Sequence, residues 1–442
     1  MLSDETIKNA LQDLKLERIR MRDEEVNKQL DYYSSNTNKY TSEYFDGATS
    51  KEAPMSNYNF TARFIDKMSR IYQAGVKRNG GAKYSDMILN KDVAMKHQEK
   101  MSNLNGSMAI LPSLGESLIY KYQQIYKFVP FFGKDALNPI AVAYPIMLPV
   151  SDPSNTAELG WGYYDDTVYK QFDNDGGVIH ESTINHGLGI LPVVFTHKDH
   201  QLDEFFVEGA TDIITANEQV NVTMTELAVG SRYQLWGQPW MTGVDSDKSY
   251  SRMGVNNIIA LDDPDSKFGI ESPGGDLETS VDLVKFMVEL VAQNNHLWIT
   301  WSEQGGEVPS GISLMIRDLE RHEDYVDDIE LWRLYEDQIY EVEKALAKAR
   351  GVTLDEKLGL DFIPPEYPLS TNDQIIWDDH RLRLDLITNA ELTLEYNEDL
   401  GTIAKANKAW EKRKKINDKN RDKLQLPKVS DPAPKVDNRI DQ

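Results

Sequence analysis

Between Ser313 and Ala349 the chain carries eleven Asp or Glu against five Lys or Arg. Carboxylates crowded on one helix could hold a divalent cation or share acid–base work. Here the acidic positions fall on several helical faces, the pattern of a solvated surface more than of a tuned dyad. A second candidate is Asp173-Asn174-Asp175-Gly176-Gly177. A calcium loop of the EF-hand kind needs a bidentate Glu at its twelfth position, where this chain has Ile184, and the glycine is displaced. The stretch reads as a hairpin turn. A third is His197-Lys198-Asp199-His200. Two histidines three apart without a third ligand at usable spacing do not make a metal site, so this reads as a surface loop. The glycine-rich phosphate-binding sequences and the nucleophile elbow are missing. The expectation is a protein with no catalytic residue, no metal and no cofactor.

One cluster has the opposite charge. Nine Lys or Arg against three Asp or Glu lie between Ala404 and Leu424, with Lys412, Arg413, Lys414 and Lys415 consecutive. Such a run can contact nucleic acid, or can be a solvated helix balancing acidic neighbours. The whole chain is acidic, with 48 basic and 72 acidic residues and a net charge of -24. That argues against a global basic footprint for DNA. Cysteine is absent, which excludes disulfides and thiolate metal sites. No signal peptide is visible, and no apolar run approaches the ~18 residues a membrane helix needs.

The elements that must position these residues follow from periodicity. A helix is expected from Ser3 to about Asp31, with Ile7, Leu11, Leu14 and Ile19 on one side. A polar loop follows, then a stripe of Phe60, Phe64, Met68 and Ile71 closed by Gly75. After Leu111 short aromatic and β-branched runs alternate with turn residues, which predicts antiparallel strands. A helix over Thr211–Tyr233 follows, with so thin an apolar stripe that it suits packing against copies of itself around water. A Gly-, Pro- and Asp-rich β module precedes a second helix, capped by Asp276 and running from Leu277 to about Trp298. Next come a loop with Gly305-Gly306 and Pro309 and the long acidic helix. On that helix Leu319, Tyr325, Val326, Ile329, Trp332, Tyr335, Ile339, Tyr340, Val342 and Leu346 have core spacing. A strand, two helices (372–390 and 392–423) and a disordered Pro- and Asp-rich tail complete the chain.

No single motif decides the function; the order of elements does. A strand ending in Gly189-Ile190-Leu191-Pro192-Val193-Val194 leads into a polar helix. A β module then interrupts a helical pair, and Ser310-Gly311 opens the long helix. From about Asn59 to Ala390 this resembles the portal proteins of tailed bacteriophages, the head-to-tail connectors. The resemblance implies a ring-forming α+β portal-type fold. Its parts would be a helical and β wing (1–208), stem helix 1 (209–235), a small α/β clip (236–275) and stem helix 2 (276–299). A tunnel loop (300–312), the rest of the wing with its long helix (313–391), and a short crown helix with a disordered tail (392–442) would follow. Two features depart from the family's pattern, a compact clip-like module and a short C-terminal region after about Leu392, so a large crown domain is not expected.

The resemblance further implies a ring, usually of twelve subunits, around a channel at one capsid vertex. Double-stranded DNA would be packaged through it by a large terminase and later ejected. A head-tail connector and the major capsid protein would be the other partners. The location would be the virion, after assembly in the host cytoplasm, without membrane contact. Glu303, Gln304, Gly305, Gly306 and Glu307 would face DNA in the tunnel loop. Trp240, Asp245, Asp247, Lys248 and Arg252 would form the docking surface of the clip. Lys412 to Lys415 would lie near packaged DNA. Two other classes fit the composition: a metal-dependent enzyme with an acidic site, or another virion structural or adaptor protein.

Overall fold

The computed structural model describes residues 2–12, 17–45, 54–148, 158–236, 238–242, 265, 267–271, 277–299, 319–363 and 371–424. The fold is α+β, and all strand pairs among the described residues are antiparallel. Two compact units divide the chain. The larger comprises residues 1–305 and 317–366, the smaller 306–316 and 367–442.

In the larger unit the expected N-terminal helix is two helices, α1 (Asp4–Gln12) and α2 (Glu17–Tyr33). The short helices α3 (Asn38–Ser42) and α4 (Thr61–Met68) follow. Helix α4 ends well before Gly75, because the Glu99 carboxylate takes the amides of Ile71 and Tyr72 at 2.9 and 3.3 Å and removes them from any helical ladder. Strand β1 (Val76–Asn79) and helix α5 (Tyr84–Met87) precede α6 (Lys91–Asn105). The strands β2 (Ser107–Leu114), β3 (Tyr120–Ile125), β4 (Val129–Phe132), β5 (Pro139–Leu148), β6 (Glu158–Tyr164), β7 (Val168–Phe172), β8 (Val178–Asn185) and β9 (Val194–His197) come next.

They form a three-stranded sheet ordered β3-β2-β9 and a five-stranded meander ordered β4-β5-β6-β7-β8. Side-chain alternation divides the meander's two faces. Ala141, Ala143, Tyr163 and Phe172 pack under Ile7 and Leu11 of α1. Val142 and Tyr144 point the other way, into a layer with Ala109, Leu111 and Phe128. The Asp173–Gly177 stretch is the expected hairpin turn between β7 and β8. The Asp173 carboxylate accepts from the Asp175 and Gly177 amides, and Gly176 sits at φ +76. Gly106, which closes α6 at φ +75, is irreplaceable for space as well: a Cβ there would lie 2.0 Å from the Val207 carbonyl oxygen.

Two long helices follow, α7 (Thr211–Trp236) and α8 (Leu277–Asn294). Between them β10 (Gln238–Thr242) pairs with β11 (Lys267–Glu271), so a helical hairpin is tipped by a two-stranded ribbon. At the opposite end Asn295 donates to Asp212 at 2.9 Å, which ties the end of α8 to the start of α7. Val284, Val288 and Ala292 join Ile213, Ile214 and Val220 in one core with Phe64, Met68, Met101 and Leu104. Helix α9 (Leu319–Ala349) lies on the three-stranded sheet, and β12 (Gly359–Phe362) pairs with β1. The smaller unit holds α10 (Thr371–Arg383), α11 (Asn389–Glu395) and α12 (Ile403–Leu424). Thr388 and Glu391 form a reciprocal capping box at the start of α11.

Asn217, Asn221 and Thr225 of α7 do not face water. Asn217 Oδ1 accepts from the amides of Phe60 and Thr61 and from the Thr61 hydroxyl, and its amide donates to the Tyr58 carbonyl at 2.7 Å. Asn221 and Thr225 accept the amides of Tyr58 and Ser56 at 2.8 and 2.9 Å. A ladder of side chains thus binds an extended segment as a sheet edge would. The thin apolar stripe is compensated within one subunit, contrary to its sequence reading. Replacing Asn217 by Ala leaves two buried amides and a carbonyl without partners. Urea unfolding should show a loss of about 3 kcal/mol for Asn217→Ala.

Candidate functional site

The expected surface of α9 is in part a buried ionic core. Glu336 and Glu343 are fully buried, one heptad apart on the stripe that carries Trp332, Tyr335 and Ile339. Arg78 of β1 donates to Glu336 at 3.0 Å through Nε. Lys91, at the start of α6 and itself fully buried, reaches Glu336 at 3.1 Å and Glu343 at 3.0 Å. Tyr72 donates to Glu336, while Tyr84 and Tyr122 donate to Glu343. Two cations and two carboxylates therefore balance in one enclosure.

Burial alone would raise the Glu336 pKa, but Lys91 and Arg78 outweigh it and hold the carboxyl down at about 2. The phenol of Tyr72 is raised by burial first and by Glu336 second, so it stays a donor. Nothing here is open to a substrate. Among the described residues no group of three or more His, Asp or Glu is placed to hold a metal ion. The arrangement performs no evident chemistry and fixes α9 against β1, α6 and β3.

The histidine stretch departs from its expected surface position. His197 is buried in β9, its Nδ1 2.9 Å from the Ser107 hydroxyl, and its backbone amide donates to the Tyr335 phenol. Burial, then the Arg22 charge, lowers the imidazole to about 4, so it is neutral at pH 7. Its neighbour His200 is exposed after β9, and both line one cavity with Gln201 and Phe205. On α9 Tyr325, Trp332, Tyr335, Ile339, Tyr340 and Val342 are core residues as their spacing predicts, whereas Leu319 and Val326 are exposed.

The residues assigned to a tunnel loop, Glu303 to Glu307, lie outside the described residues, as do Asp245, Asp247, Lys248 and Arg252. Trp240 is on β10, opposite Gly269 of β11, with its indole over the glycine and 43% of the residue exposed. Phe268 and Ile270 are exposed on the same ribbon. In the smaller unit Lys412, Arg413, Lys414 and Lys415 are exposed on α12, and Lys414 Nζ stands 5.0 Å from the Trp410 ring.

A surface that periodicity did not reveal lies on α8. Leu283, Phe286 and Leu290 are 53, 60 and 46% exposed. Their i, i+3, i+7 spacing makes a second apolar stripe, on the side opposite Val284, Val288 and Ala292. The signal was present in "VDLVKFMVELV", which is apolar at nearly every turn position and not on one side alone.

No protein-family model matches the chain, and no curated protein does. Among solved structures it is similar to a chain of the neck of an empty GTA particle computed with C6 symmetry, with 9% identity and a TM-score of 0.39 over 78% of this chain and 92% of that one. A chain of the neck of a native GTA particle computed with C12 symmetry gives 10% identity and a TM-score of 0.38, covering 79% of this chain and 92% of that one. A chain of the virion of a native gene transfer agent particle gives 10% and 0.38, covering 81% and 97%. Superpositions of this quality do not assign function.

The ionic core has a testable sign. Glu336 is held below its unfolded range, so its stabilisation is complete above about pH 4.5 and is lost as pH falls towards about 2. Lys91→Met strands buried carboxylates and should cost about 4 kcal/mol. Adding Glu343→Leu to it should recover part of that loss, as read by denaturant unfolding of the four chains of the cycle.

Proposed function

We propose that the chain is a portal protein, a ring-forming virion component with no catalysis of its own. The observation that carries the reading is α8. It is apolar on two opposite sides, and only one of them is covered within the subunit. A helix of that kind belongs inside an assembly. A helical hairpin tipped by a β ribbon is also the stem-and-clip order that the sequence resemblance implies.

In this reading α7 and α8 are the stem, and Leu283, Phe286 and Leu290 seat against the next subunit in a heterologous, closing contact. Twelve copies would enclose a channel for double-stranded DNA. The ribbon with Trp240 and the segment with Asp245, Asp247, Lys248 and Arg252 would dock the large terminase during packaging and the head-tail connector afterwards. The major capsid protein would surround the ring at one vertex of the virion. Glu303 to Glu307 would line the narrowest part of the channel, where carboxylates repel phosphate. A net charge of -24 per subunit would let DNA slide without being held. The exposed basic run Lys412 to Lys415 would lie towards packaged DNA.

Light scattering and negative-stain images of the purified chain test the assembly. The unmodified chain should form closed rings of about twelve subunits. Phe286→Glu combined with Leu290→Glu should reduce these to monomers that keep their helical circular dichroism. Well-folded wild-type monomers at micromolar concentration would overturn the reading. Reversal of the four charges from Lys412 to Lys415 should spare the ring and reduce DNA retention in filled particles.

A further inference from the structure

The end of α8, the first turns of α9, the end of α4 and the residues after β9 meet around a polar cavity of about 290 Å³. Ion pairs lock one side of it. His296 Nδ1 lies 2.9 Å from both oxygens of Asp324, and Arg321 donates to Asp324 at 2.8 Å and to the Met68 carbonyl. The other side is crowded with like charge. Asp327 and Asp328 on α9 and Asp199 after β9 line the same space, and Asp328 is half-buried one turn beyond Asp324. Among the described residues neither the Asp328 nor the Asp199 carboxylate makes a hydrogen bond or an ion pair.

We propose that this cavity is a proton-sensitive joint: crowding of Asp199, after β9, with Asp324, Asp327 and Asp328 loosens the packing of α9 against the end of β9, and proton uptake at Asp328 tightens it. Nothing in the assembly reading is needed for this, since all the groups belong to one subunit. The charged groups facing Asp328 come from each neighbouring element. They are Glu99 of α6, Lys198 and Asp199 after β9, His296 at the end of α8, and Arg321, Asp324 and Asp327 on α9, with Arg70 adding positive charge beside Arg321.

Electrostatics support the direction. Burial first, then Asp199, Asp324 and Asp327, raise the Asp328 carboxyl to about 6, against the pull of Arg321. A carboxyl raised above its unfolded value of 3.8 contributes stability that is complete below that value and is lost as pH rises through about 6. Glu99, raised to about 7 by its burial despite two backbone donors, titrates in an overlapping window and is therefore a control. His296 is another, because its ring bonds to Asp324 in the same cavity.

Hydrogen exchange on the full chain at pH 5 and pH 7.5, corrected for intrinsic exchange chemistry, tests the joint. Amides of 196–198 and 321–328 should be about tenfold more protected at the lower pH, below the limit a two-unit shift sets because Asp328 is partly solvated. Asp328→Asn should give the higher protection at both pH values. Asp199→Asn, at an exposed position, should lower the midpoint and reduce the difference. Equal protection of the wild-type chain at both pH values would overturn the proposal. So would an unchanged difference in Asp328→Asn, or one abolished by Glu99→Gln or His296→Gln alone. Should Asp328→Asn fail to fold, an unaltered profile in Asp199→Asn overturns it equally.

Discussion

The position of α9 against β1 and α6 is registered to four buried charges. Arg78, Lys91, Glu336 and Glu343 come from β1, α6 and α9, and each finds its partner only if these elements meet at one longitudinal position. Apolar contacts between α9 and the sheet are non-directional and by themselves fix this position less sharply. A shift would leave ions in a dry interior, at a cost of several kcal/mol each. The tyrosine donors around the carboxylates complete their coordination and keep water out. From α9 the register passes to β1, to β12 through its pairing with β1, and to β2 and β9 beneath.

How much of this was legible depended on whether the buried face was apolar. The Asp173 hairpin, the two long helices before and after the ribbon, and the aromatic stripe of α9 follow from periodicity and turn chemistry. Helix α6 was not read, and its composition explains why. Its buried face includes Lys91, Gln98, Glu99, Ser102 and Asn105, whereas Val93 is 74% exposed. A polar face buried by polar partners has no hydrophobic period. The same holds for Glu336 and Glu343, which look like surface charge until Arg78 and Lys91 are seen more than two hundred residues away in sequence. It holds for Asn217, Asn221 and Thr225, whose partners are backbone amides, which a sequence does not display. The end of α4 was misjudged for a related reason: a distant carboxylate on α6 stops it.

The candidate assembly surface has the converse history. The sequence reading placed Val281, Val284, Met287, Val288 and Val291 on one side of this helix and did not single out Leu283, Phe286 and Leu290. Only the folded chain separates the side that is covered from the side that is not. Nothing comparable distinguishes the basic run of α12. Its four consecutive cations are exposed, as any solvated helix would leave them, and the order of elements is what gives them meaning.

The ladder that α7 extends to residues 56–61 has a mechanical corollary. Apolar contacts are non-directional, so a helix resting on them can roll about its axis at little cost. Hydrogen bonds from Asn217, Asn221 and Thr225 are directional, and a roll of a few tens of degrees would break all of them together. The part of α7 up to Thr225 is therefore held against rolling, and among the described residues no such bond to the segment lies beyond Thr225. Twist applied at the ribbon should be taken up in the outer turns of the hairpin before it reaches the sheets.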